Sequence, residues 1–133
     1  MFKPIATLIC AAALLAAGTQ DTGKSVSLFD GKDLSKWVKE SDPTKPAPWP
    51  VRDGYFETGA GSGSIMTREK FGDIQLHLEF STPSPGRGAS QDRGNSGIKF
   101  MDKYELQILD SYQNITYADG QAGAIYGEYP PLV

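Results

Sequence analysis

Cysteine is almost missing from this chain: of 133 residues only Cys10 carries a thiol. A disulfide framework is therefore excluded, and fold stability has to come from a core or a bound ion. Histidine is equally scarce, since His77 stands alone, and a typical zinc site of several His and Cys ligands cannot be built. Positive charge is not in excess. Thirteen Lys and Arg against sixteen Asp and Glu give a net charge of -3, without the basic footprint that a nucleic-acid partner requires. Convincing helical periodicity is also absent, whereas 15 Gly and 9 Pro supply frequent turns.

The only long apolar run is at the start. MFK is a positively charged lead, and IATLICAAALLAAG follows it and ends in small residues. Residues 1–18 read as a secretory signal peptide cleaved after Ala17 or Gly18, which predicts a secreted or periplasmic protein. The run falls short of the about 20 residues of a bilayer span, so no membrane span is expected after cleavage. A lipoprotein signal is disfavoured because Cys10 lies too early and follows bulky Ile9. Residues 19–25 (TQDTGKS) form a polar leader, and residues 26–133 form one small domain.

Within that domain, short strands alternate with turns. VSLF (26–29) is a strand, and WPVRDGYFET (49–58) is a hairpin around Asp53-Gly54. KESDPTKPAPWP (39–50) holds four prolines and reads as an extended loop. GAGSGSIMT (59–67) is a glycine-rich turn entering a strand, with no helix behind it to make a phosphate site. FGDIQLHLEFSTP (71–83) gives the strongest strand pattern, with Ile74, Leu76, Leu78 and Phe80 on one face and His77 on the other. NSGIKFMDKYELQILD (95–110) reads as two strands joined at Asp102-Lys103, and AIYGEYPPLV is strand-like. About seven short strands with no helix predict an all-β antiparallel sandwich.

Most of the chemistry is concentrated in YELQILD (104–110). Alternation places Glu105 and Gln107 on one face and Leu106 and Ile108 on the other. Asp110 joins the polar face only if a β-bulge near Ile108 or Leu109 adds a residue. With that bulge, Glu105, Gln107 and Asp110 form a strand-borne set of oxygen donors suited to Ca²⁺, Mg²⁺ or Mn²⁺. The spacing is similar to the E-x-D-x-x-E strand of laminarinase-like glycoside hydrolases. Gln107 cannot ionise, however, which argues against a two-carboxylate hydrolysis. His77 is a candidate base or ligand, or simply a solvated strand residue. Arg93 and Asn95, in DRGNSG, offer forked groups for sugar hydroxyls or an oxyanion, or else close an Asx turn. Trp49 and Tyr126 are candidate sugar-stacking aromatics, as are Tyr112 and Tyr117, while Trp37 reads as core. Asn114-Ile115-Thr116 fits a glycosylation sequon.

LFDGKDLSKW, WPVRDG, GSIMTREKFGDIQLHLEF, RGNSGIKF, YELQILDS and GAIYGEYPP stand in order along the chain. Together, from about Ser27 to Val133, they resemble the 3-keto-disaccharide hydrolase domain family. The resemblance implies a concanavalin A-like jelly-roll sandwich, exported bacterial proteins and carbohydrate degradation. It also implies a domain running past Val133, so the sandwich is expected to be incomplete at its C-terminal side. A ketone at C3 of a sugar acidifies the C2 proton and makes the C1 oxygen a leaving group. Glu105 would then be the base or a metal ligand, with His77 as the second choice for base and Asp110 as ligand or acid. Gln107 would orient substrate, and Arg93 and Asn95 would hold hydroxyls or polarise the carbonyl. The alternative is a non-catalytic carbohydrate-binding module, with Trp49 and the tyrosines on sugar and Glu105 and Asp110 on a structural Ca²⁺. A third reading makes YELQILD only a hydrogen-bonded strand at the sandwich rim. In the first two readings the partner is an oligosaccharide or glycoside.

Overall fold

In the computed structural model, residues 23, 25–59 and 61–132 are described. The proposed signal peptide and most of the polar leader lie outside them. Seven strands form three antiparallel sheets, and no α-helix occurs among the described residues.

The first sheet has the order β2-β1-β5. Strand β1 (Trp37–Lys39) pairs with β5 (Ile65–Thr67), Trp37 opposite Thr67, and its other side pairs with β2 (Asp42–Pro46) through a bulge between Val38 and Lys39. Pro43 and Pro46 thus sit in a strand, whereas Pro48 and Pro50 lie in the expected loop. The order explains why: β2 is an edge, where a missing N–H leaves no ladder partner unsatisfied. Strands β3 (Val51–Arg52) and β4 (Tyr55–Phe56) make the expected hairpin. Both turn residues are left-handed, Asp53 at φ 50° and Gly54 at φ 83°, as a type I′ turn demands. Leu34 and Val38 are buried here. Beside them Phe56 collects Phe29, Trp37 and Trp49, with ring centroids 5.0, 6.1 and 5.9 Å away.

The third sheet pairs β6 (Asn95–Phe100) with β7 (Tyr104–Leu109) in one unbroken register, from Asn95 opposite Leu109 to Phe100 opposite Tyr104. The turn comes slightly earlier than expected, with Met101 and Asp102 both at φ 55°. On the far side of β7, residues 123–126 run as a short third row. The Gln107 N–H donates to Ala124 O, and the Tyr126 N–H to Glu105 O, both at 2.9 Å.

Three expected strands do not form among the described residues. VSLF forms none, and neither does FGDIQLHLEFSTP, although residues 71–83 have the strongest pattern in the sequence. Alternation prepares a chain for a sheet, but a strand also needs a neighbour to complete its ladder, and no ladder partner meets this segment among the described residues. Its apolar side chains instead line a cleft of about 360 Å³ against Ile98, Phe100, Leu106 and Ile108. Ile74, Leu76, Leu78 and Phe80 remain 48, 40, 39 and 53% exposed. AIYGEY likewise forms only isolated bridges, Leu106–Ile125 and Ile125–Tyr129.

Candidate functional site

The Glu105–Gln107 face of β7 gathers the largest side-chain hydrogen-bond network among the described residues. Glu105 and Gln107 share this face with Asn95, Gly97 and Lys99 of β6, because the register is continuous and side chains alternate. The third row adds Ala124 beside Gln107 and Tyr126 beside Glu105. Gly97 lies opposite Gln107, and the Glu105 carboxylate fills the space that a side chain at residue 97 would take. No hydrogen bond or ion pair holds that half-buried carboxylate among the described residues.

Gln107 is 2% exposed. Its Nε2 donates to Gln91 Oε1 at 2.8 Å and points to Gly120 O at 3.5 Å. Its Oε1 is the one buried side-chain polar atom without a partner among the described residues. Gln91 sits in a 3₁₀ turn, Ser90–Asp92, and its own Nε2 donates to Thr116 Oγ1 at 2.8 Å and Gly120 O at 3.0 Å. Asn114 clamps that turn, accepting from the Ser90 N–H at 2.7 Å and donating to Ser90 O at 3.0 Å. The sequon asparagine thus has both ends of its amide engaged.

At the rim, Tyr117 and Tyr126 share a hydrogen bond between hydroxyls at 2.6 Å, with rings 6.2 Å apart. That bond pushes the Tyr117 pKa up to about 12, with desolvation and the negative character of Tyr126 and Asp119 adding to it. The Tyr117 ring covers Gly120, where a side chain would collide with it.

The remaining candidates are placed elsewhere. The expected bulge does not form, because the β6–β7 register continues into the Asp110 N–H to Gly94 O bond at 3.0 Å. Alternation therefore turns Asp110 to the opposite face from Glu105. There it is nearly buried and accepts from Arg93 Nε at 2.7 Å. The same pair occupies Arg93. Glu105 and Asp110 consequently do not converge on one cation, and no group of three or more His, Cys, Asp or Glu does so among the described residues. Asn95 is exposed but engaged by the loop, its Nδ2 donating to Gln91 O at 2.8 Å. His77 is 89% exposed on the unpaired segment, with Glu79 4.0 Å away. Trp49 belongs to the Phe56 cluster, and its indole N–H donates to Gly63 O at 2.9 Å. Gln91, Gly97 and Gly120 were not marked by any pattern in the sequence, because each acts through partners that are distant along the chain.

The all-β antiparallel domain thus carries, on one face of β7, the Glu105 carboxylate beside the Gln107 amide, with the Tyr117–Tyr126 pair at the rim. The chain belongs to the family described as the 3-keto-alpha-glucoside-1,2-lyase-like domain, whose model matches residues 24–133. This is the family that the sequence motifs resemble. The chain is also similar to a crystal structure from Parabacteroides distasonis, provisionally described as that of a glycosyl hydrolase. The two share 46% identity and a TM-score of 0.77 over 81% of this chain and 45% of the other. The chain thus corresponds to less than half the length of that structure. No curated protein matches the chain significantly.

Proposed function

We propose that this chain is part of an exported carbohydrate-active enzyme that cleaves the glycosidic bond of 3-keto-glycosides, with Glu105 as the base. One observation carries the reading: Glu105 presents a half-buried carboxylate that no hydrogen bond or ion pair engages among the described residues, not even with Lys99 across the ladder, on a face that also carries the Gln107 amide and Tyr126. Family membership and the glycosyl hydrolase neighbour support the substrate class. They also support our proposal that the three sheets belong to a concanavalin A-like jelly roll. The apolar run at residues 4–17 supports export to the periplasm or medium.

The chemistry asks for one base. Glu105 removes the C2 proton, which the C3 ketone acidifies. The resulting enolate expels the aglycone oxygen from C1, and that oxygen takes up a proton. A C1=C2 double bond conjugated with the ketone remains. Water then adds its oxygen to C1 while a proton returns to C2, so the net reaction is hydrolysis. A second carboxylate flanking C1 is unnecessary, in keeping with the placement of Asp110 on the far face.

The exposed Tyr117–Tyr126 pair also suits a module that only binds sugar. Turnover separates the two readings. The folded chain, incubated with 3-keto-trehalose, is expected to release glucose and 3-ketoglucose, and Glu105→Gln should lower that rate by about 10²-fold or more. Saccharide binding without product would leave the binding module, and full activity in folded Glu105→Gln would remove Glu105 as the base.

A further inference from the structure

Gln107 is buried, yet half of its amide is unused. Which half is fixed by its neighbours. Gln91 Oε1 and Gly120 O are both acceptors, so the NH₂ group of Gln107 must face them. A flipped Gln107 would set its oxygen against two oxygens. Gln91 cannot flip to accommodate it, because its own NH₂ already serves Thr116 Oγ1 and Gly120 O. Asn95 Nδ2 approaches Gln91 Oε1 from a third direction, at 3.3 Å.

We propose that Gln91 is a positioning residue. It locks the Gln107 amide so that Oε1 is kept as a vacant acceptor for a hydroxyl of the saccharide bound beside Glu105. The assignment rests on the proposed carbohydrate function and adds to it a hydrogen-bonding demand: the sugar must donate at this point. A buried acceptor without a donor is costly, which is why such atoms are rare unless a ligand or water completes them. Access depends on Glu105. Its carboxylate leans over Gly97, directly opposite Gln107, and no bond among the described residues holds it there. It can swing outward as sugar enters. Asn95, taken from the sequence as a hydroxyl ligand, joins the same bracing network through Gln91 O.

The test pairs kinetics with the Gln107 side-chain amide followed by NMR. Gln91→Met keeps the volume but removes both the acceptor for Gln107 and the donors that brace the loop. With the 3-keto-disaccharide, KM is expected to rise about tenfold, the worth of one well-placed hydrogen bond, while kcat changes far less. In the wild type the Gln107 amide protons should exchange slowly and shift on adding sugar. In Gln91→Met they should lose that protection. An unchanged KM in folded Gln91→Met overturns the proposal, as does a Gln107 amide that exchanges freely and ignores sugar in the wild type. If the wild type releases no product, the hydrolase reading fails by itself. A protected, sugar-responsive Gln107 amide would then still support the acceptor and its brace.

Discussion

Gly97 has no side chain, and the position of Glu105 depends on that. A methyl group at residue 97 would occupy the place of the carboxylate. The carboxylate ends a flexible side chain, so it can yield without disturbing the β6–β7 ladder. Gly97→Ala should therefore cost about 1 kcal/mol of stability or less. Turnover of the 3-keto-disaccharide should fall about tenfold or more, because the methyl group would stand opposite Gln107 in the space the sugar takes once the carboxylate swings out, and a misplaced substrate is expensive. Matched urea unfolding and product release would check both halves. Tyr117 offers a second test on the same face. Its bond to Tyr126 raises its pKa from the ordinary 10.0 to about 12, so the bond stabilises the fold fully below about pH 10. That contribution disappears as pH rises through about 12. Of the 6 tyrosines, Tyr117 is expected to ionise late in a tyrosinate absorbance titration. Tyr126→Phe should bring its titration back toward 10.0.

Strands are joined by their ladders, whereas the loops are fastened to them by side chains. The Arg93–Asp110 pair fastens the loop after residue 84 to the end of β7, with side-chain exposures of 21 and 9%. Gly86 makes this possible, since a side chain there would meet Arg93 Nη2 at 2.5 Å and Asp110 Oδ2 at 2.6 Å. Removing one partner leaves a charge nearly buried and alone. Asp110→Ala is expected to cost about 3 kcal/mol in thermal or urea unfolding. Replacing both residues with apolar ones of similar size should recover much of that loss. A double-mutant comparison would separate such a structural pair from an acid in the reaction.

Over the whole molecule, the buried apolar side chains among the described residues are Leu34, Val38, Leu109 and Ala124. Much more apolar surface stays open, and residues 71–80 form its longest continuous stretch, against the half-buried Ile98, Phe100, Leu106 and Ile108. Patches of this kind bind hydrophobic dyes. The folded chain should thus enhance anilinonaphthalene sulfonate fluorescence strongly, and Ile74→Lys with Leu78→Lys should weaken the enhancement while circular dichroism stays unchanged. Unaltered dye binding in that variant would place the open surface elsewhere.

The all-β character, the Asp53-Gly54 hairpin, the β6–β7 pair and the shared face of Glu105 and Gln107 were legible in the sequence. Each follows from local rules: turn residues that accept positive φ, and side chains that alternate with period two. Those rules say nothing about partners. Whether residues 71–83 find a neighbouring strand, whether proline-rich β2 lies at an edge, and whether a bulge swings Asp110 beside Glu105 are all decided by pairing between distant segments. Only the tertiary structure brought Gln91 to Gln107 and Arg93 to Asp110, because a buried amide or carboxylate must satisfy its hydrogen bonds from whatever the fold places next to it.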